Sequence, residues 1–131
     1  MHFRYVIFDM DGTLLDSIPY WEKLALGYLK ELGIEGPEGL DRRLSMMSIQ
    51  EAGVCLREEF LLQKSAEEIC YELCERINKN YRDDILLKPG VAKWLSHLRE
   101  QGAHLCVATA SSANIGKAAL ERNKILSYFD F

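Results

Sequence analysis

Hydrophobic and polar positions change rhythm along the chain, and each rhythm predicts an element. Phe3, Tyr5, Val6, Ile7 and Phe8 make residues 3–9 a short aromatic and β-branched run, which predicts a buried-type strand. The run breaks off abruptly at Asp9-Met10-Asp11-Gly12-Thr13. Over residues 17–32, Trp21, Leu24, Leu26, Tyr28, Leu29 and Leu32 recur at threes and fours, predicting a helix stopped at Gly33. Gly36-Pro37-Glu38-Gly39 reads as a loop. Ser48-Ile49-Gln50-Glu51 and Ser65-Ala66-Glu67-Glu68 each place a hydroxyl at an N-cap and a Glu at N3, so two capping boxes open two further helices. The second of these carries Ile69, Cys70, Leu73, Cys74, Ile77 and Tyr81 on one stripe, with Glu, Arg and Lys opposite. Residues 16–87 therefore read as an all-helical block.

Lys88-Pro89-Gly90 punctuates the chain, and Val91, Leu95 and Leu98 mark an amphipathic helix over residues 91–101 that Gly102 stops. Residues 103–108 are a second buried-type strand, broken at Thr109-Ala110-Ser111-Ser112. Residues 114–122 are helical again, and Tyr128-Phe129-Asp130-Phe131 looks like a strand beginning. Strands separated by helices predict an α/β fold with a parallel sheet, joined by right-handed crossovers. Ligands of such sheets bind beyond the carboxyl ends of the strands. Both chemically rich turns, after Phe8 and after Ala108, lie at such ends, so they face one crevice if the strands are neighbours.

Composition narrows the field. The 131 residues suit one ordinary domain, and a hydrophobic content of 48% is too high for disorder. A net charge of −4, from 16 Lys+Arg against 20 Asp+Glu, argues against nucleic acid as a partner. The run Tyr5-Val6-Ile7-Phe8 ends at Asp9, too short for a signal segment or a membrane span, so no membrane partner is expected. Cys55, Cys70, Cys74 and Cys106 form no CxxC, and the histidines are scattered, which favours reduced thiols and a cytoplasmic protein over a zinc site.

Asp9 and Asp11 stand two apart where an apolar strand opens into a loop, a spacing that lets both point the same way. Two close carboxylates repel, and a hard cation such as Mg2+ relieves the repulsion through oxygen ligands. A carboxylate also serves as a nucleophile toward phosphorus, and a second carboxyl can donate and later accept a proton. Gly12 permits a sharp turn that aims N–H groups at an anion. In the second turn, Thr109 and Ser111 offer hydroxyls beside backbone N–H groups and the start of a helix, a cradle for a phosphoryl group. Blander accounts stand beside these. The acidic turn resembles part of a calcium loop, although its twelfth position is Tyr20, not Glu. The Ser and Thr residues suit ordinary helix N-capping.

Val6-Ile7-Phe8-Asp9-Met10-Asp11-Gly12-Thr13-Leu14-Leu15-Asp16-Ser17 resembles the first motif of the haloacid dehalogenase superfamily of phosphohydrolases. Val107-Ala108-Thr109-Ala110-Ser111 resembles its second motif, and Pro89-Gly90-Val91 with Leu95, Leu98 and Gly102 resembles the return into its core. The resemblance implies a Rossmann-like parallel-sheet core at residues 1–15 and 88–131, incomplete here, with an inserted all-helical cap at 16–87. It implies that Asp9 is the nucleophile and Asp11 the general acid/base. Asp9, through its side chain, and Asp11, through its carbonyl, would hold Mg2+. Gly12, Thr13, Thr109 and the amide of Ala110 would bind phosphate, Ser111 would contact substrate, and Asp16 would position the cap hinge.

The implied substrate is a small phosphorylated metabolite. Trp21, Ile49 and Ile77 stand where the β-phosphoglucomutase branch has polar residues, which favours a phosphatase over a mutase. The family's third motif, a Lys, and its fourth, an acidic pair, have no counterpart, since Lys117 and Lys124 fall too early. The expectation is an N-terminal portion with weak or no activity alone, and with self-association through the incomplete core. A non-catalytic remnant or interaction module is the rival from another class.

Overall fold

The structure is a computed structural model that describes residues 3–130. In chain order the elements are β1 (Tyr5–Asp9), α1 (Ile18–Glu22), α2 (Leu24–Glu31), α3 (Leu40–Leu44), α4 (Ile49–Glu59), α5 (Ala66–Asp83), α6 (Val91–Glu100), β2 (His104–Ala108), α7 (Ala113–Arg122) and a 3-10 turn (Leu126–Tyr128). The fold is α/β: β1 and β2 pair in parallel, with Tyr5 opposite His104 and Asp9 opposite Ala108, as in an incomplete Rossmann-like core. Contacts divide the chain into a helical unit, Pro19–Asn80, and a sheet-bearing unit built from the segments on either side.

In the sheet-bearing unit the core gathers Leu14 and Leu15 from the loop after β1, Leu95 and Leu98 from α6, Leu105 from β2, and Ala119 and Leu120 from α7. Phe8 lines one cavity with Leu14, Val91 and Leu95, and meets Phe129 edge-on at 6.2 Å. The opposite face of β1 differs from the buried-type strand that its composition predicts. Tyr5 and Ile7 are 60% and 70% exposed, and the Tyr5 ring stacks on His104. Side chains alternate between faces along a strand, and here packing covers one face only.

The chain's return toward β2 also departs from expectation. Leu126–Tyr128 is a 3-10 turn, and extended backbone begins only at Phe129. Asp130 then donates its N–H to Leu105 O at 2.7 Å and accepts the Leu105 N–H on its carboxylate at 3.1 Å. Arg99 and His104 close on the same carboxylate. Desolvation pushes that carboxyl up, but the Leu105 N–H, Arg99 and His104 outweigh it and hold the group below its usual range. Phe131, the last residue of the expected strand, lies outside the described residues.

In the helical unit the pattern over residues 17–32 resolves into two helices, α1 and α2, broken at Lys23. Lys23 gives no side-chain cap, and Asp41 supplies one from a distance. Its carboxylate accepts the Ala25 and Leu26 N–H groups at 2.8 and 3.2 Å. Burial raises the Asp41 carboxyl above its ordinary value, against the pull of both N–H groups. The capping box at Ser48 forms in both directions, and Ser65 accepts the Glu68 N–H. Ile69, Leu73 and Ile77 of α5 are buried, and Tyr28 donates to Glu72, which Lys64 also holds. A Cβ at Gly53 would stand 2.9 Å from Ala66 O, so α4 packs closely on the start of α5. The four cysteines are free thiols. No helix among the described residues is long and apolar enough to cross a membrane.

The distant cap on α2 predicts a measurable contribution. Asp41→Ala strands two helix-terminal N–H groups and should lower the unfolding free energy by about 0.5–2 kcal/mol. Asp41→Asn, which keeps an acceptor, should lose less. Urea unfolding followed by circular dichroism checks the order of the two variants.

Candidate active site

Parallel pairing puts Asp9 and Ala108 side by side, so the loops after β1 and β2 leave the same end of the sheet. The first loop is tightly built. Met10 O accepts the N–H groups of Thr13, Leu14 and Leu15, and Gly12 N–H donates to Leu15 O at 2.9 Å. The Met10 side chain is fully buried against α7, where a Cβ at Gly116 would stand 3.1 Å from its sulfur. Gly12 has φ +75°, and a Cβ there would stand 3.1 Å from Ile18 Cγ1. Behind the loop, Asp16 N–H donates to Leu86 O and Lys88 N–H to Leu14 O, tying the outgoing and returning segments together.

The two carboxylates end in opposite states. Asp9 is exposed at the end of β1, and its carboxylate makes no hydrogen bond or ion pair among the described residues. Asp11 is half-buried and accepts three hydroxyls. Ser17 Oγ donates to Oδ1 at 2.7 Å, the Tyr81 hydroxyl donates to the same oxygen, and Ser111 Oγ donates to Oδ2 at 3.0 Å. Ser17 is fully buried, and a buried hydroxyl needs such a partner.

In the second loop Thr109 is exposed, and its Oγ1 accepts the Ser111 N–H at 3.1 Å in a small hydroxyl-closed turn. The exposed Ala110 N–H donates to nothing among the described residues. The N-capping account of this loop does not hold. Ser112 occupies the N-cap of α7 without a side-chain hydrogen bond, and Ser111 is spent on Asp11. Thr13 and Asp16 are exposed, and Asp16 enters the loop network through its backbone.

Thus Asp11 and Ser111 are in direct contact, and Asp9, Thr109 and Ala110 stand on the same end of the sheet with groups free to meet a ligand. Tyr81 is the residue that the hydrophobic pattern hides. It ends an apolar stripe and is 2% exposed, and its hydroxyl was the available signal, because a buried tyrosine normally finds a hydrogen-bond partner.

The donor chemistry fits a hard divalent cation in part. Among the described residues the Asp9 carboxylate is unengaged, and the Asp11 carbonyl takes no hydrogen bond in the loop's backbone network. Mg2+ typically binds through one or two carboxylates and keeps several waters. No cluster of three or more His, Cys, Asp or Glu suited to a metal forms among the described residues.

Comparison with known proteins adds to this geometry. Residues 6–131 match the family model of haloacid dehalogenase-like hydrolases. Hexitol phosphatase A of Escherichia coli is 31% identical over 127 residues, covering 95% of this chain and 55% of that protein. Phosphoglycolate phosphatase of Rhodobacter capsulatus is 32% identical over 131 residues, covering 95% of this chain and 58% of the relative. A Thermotoga maritima crystal structure, provisionally named a beta-phosphoglucomutase, superposes with a TM-score of 0.86 at 26% identity, covering 99% of this chain and 59% of that one. The chain therefore spans between half and two thirds of the length of these proteins.

The positive φ at Gly12 carries a prediction. Gly12→Ala forces a Cβ into the left-handed region and toward Ile18. It should lower the unfolding free energy by about 1–2 kcal/mol, read by urea titration.

Proposed function

The chain belongs to the haloacid dehalogenase-like hydrolases, and from that premise we propose that it carries the nucleophile and the acid/base of a Mg2+-dependent phosphohydrolase of small phosphorylated metabolites. One observation carries the proposal: Asp9 presents a free carboxylate at the strand end, while Asp11, two residues on, is held by three hydroxyls. A nucleophile must be unencumbered, and an acid/base must be aimed.

In the proposed reaction an Asp9 oxygen attacks phosphorus, and the bond to the ester oxygen breaks. Asp11, protonated, gives its proton to the departing alcohol. Water then attacks the aspartyl-phosphate at phosphorus. Asp11 takes its proton, and inorganic phosphate leaves as the Asp9 carboxylate is restored. Thr109, the Ala110 N–H and the loop at Gly12 and Thr13 hold the phosphoryl oxygens. Ser111, engaged with Asp11, orients that group where substrate contact was expected. The Asp9 carboxylate and Asp11 carbonyl would hold Mg2+, which when bound offsets the charge of the phosphoryl group.

The substrate class follows from the relatives named for hexitol phosphates and phosphoglycolate: a small polar phosphomonoester. A second possibility is phosphoryl transfer of the mutase type, favoured by the likeness to the Thermotoga maritima structure. Trp21 and Ile49, where that branch carries polar groups, favour hydrolysis. Ile77 carries no weight here, because it is 2% exposed and belongs to the core of the helical unit. The free thiols are consistent with a cytoplasmic setting. The exposed Tyr5 and Ile7 suit self-association of this 131-residue chain.

Asp9→Asn, made in a protein as long as the matched relatives, should abolish hydrolysis of p-nitrophenyl phosphate. Normal turnover by that variant would remove Asp9 as nucleophile. A coupled assay converting β-glucose 1-phosphate to glucose 6-phosphate separates the mutase alternative. For the 131-residue chain alone, two oxygen donors predict loose metal binding, weaker than micromolar by titration calorimetry with Mg2+. Micromolar binding would contradict that loose hold and the expectation of weak or no activity for this chain alone.

A further inference from the structure

We infer that Tyr81 is a positioning residue for Asp11, that Arg122 fixes Tyr81, and that Asp11 Oδ2 is the oxygen left to carry the proton. The inference rests on the proposed acid/base role of Asp11. Its basis is the distribution of hydrogen bonds on that carboxylate. Oδ1 accepts from both Ser17 and Tyr81, whereas Oδ2 accepts, among the described residues, only from Ser111. An ionised carboxylate has about four lone-pair sites, two on each oxygen. Oδ1 is therefore filled, and Oδ2 keeps one site open among the described residues.

Tyr81 is suited to hold such a group still. Its ring is buried and has only two torsions, so its hydroxyl is delivered by packing. Its backbone is held separately. Arg122, in the last turn of α7, donates Nη2 to Tyr81 O at 3.3 Å and also to Ile85 O. Asn123 donates to Ile85 O at 3.0 Å and to Ala119 O at 2.8 Å. The Tyr81 and Ile85 carbonyls lie at and just beyond the end of α5, where the last C=O groups lack helical partners. The Arg122 guanidinium is drawn in far enough that Nε is buried with no hydrogen-bond partner among the described residues. A cation placed so, on carbonyls and at the expense of one buried donor, anchors the returning segment at residues 81–85. Arg122 thus holds the Tyr81 backbone, and the Tyr81 hydroxyl holds Asp11.

A purely structural Tyr81 would serve every substrate alike, and a positioning Tyr81 would not. An alkyl alkoxide leaves poorly without a proton, whereas p-nitrophenolate leaves without one. The measurement is kcat/KM, which includes the step where the leaving group departs. It is made in a protein of the relatives' length with a sugar-alcohol phosphate and with p-nitrophenyl phosphate. Tyr81→Phe should lower kcat/KM for the alkyl ester about 10-fold or more and for the aryl ester by less than about 3-fold, a fraction of what general acid catalysis supplies. Arg122→Met should give the same selective loss, smaller in size. Equal losses on both substrates, or none, would overturn the positioning role of the residue tested.

Asp11→Asn separates this from the underlying proposal. If that variant keeps alkyl-phosphate turnover, or the unsubstituted protein has none, the acid/base assignment itself fails. If Asp11→Asn is inactive on the alkyl ester and Tyr81→Phe shows no split, only the present inference fails. A second readout uses the 131-residue chain. Tyr81→Phe should lower the thermal midpoint, and that loss should shrink by about half or more in an Asp11→Asn background. Additive shifts would mean that the two side chains do not interact.

Discussion

The parallel ladder between Tyr5–Asp9 and His104–Ala108 is the constraint on which the candidate site depends. Parallel strands end at the same edge, so two loops distant in sequence are delivered together. Without that pairing, Asp11 and Ser111 would have no reason to meet, and Asp9 would stand alone at a strand end. Leu95 and Leu98 of α6 and Ala119 and Leu120 of α7 are buried in the same unit as the two five-residue strands.

The loop after β1 converts that placement into chemistry. Its backbone closes around Met10 O, and the Met10 side chain is buried against Gly116, so the loop is anchored from both backbone and side chain. The anchoring leaves Asp9 and Asp11, close in sequence and alike in type, in different surroundings. Environment sets the role of a carboxylate more than its identity does. Here one is free at an exposed edge, and the other is enclosed by hydroxyls from Ser17, Tyr81 and Ser111. Ser17 and Tyr81 also lie beside the two points where the chain passes between its units.

Much of the architecture was legible from local pattern. The capping box at Ser48 formed as its spacing predicts, because both partners lie within one turn. Both strands formed, and their separation by helices indicated parallel pairing. Where nonlocal contacts decided, local pattern misled. The break at Lys23 is stabilised by Asp41, which is remote in sequence. The run at Tyr128 turns as a 3-10 segment before it becomes extended. The face of β1 carrying Tyr5 and Ile7 lacks the cover that its apolar composition suggests.

By itself, the sequence determined the family, the two acidic positions and the loops that carry them, because these depend on residue type at short spacing. Tertiary structure decided which carboxylate is free and which is held. A hydrogen bond is made by atoms that folding brings together, and no spacing in the chain records that Tyr81 and Ser111 converge on Asp11. Hydrophobic periodicity placed Tyr81 on an apolar stripe, and only packing revealed that its hydroxyl, at the end of that stripe, faces the acid.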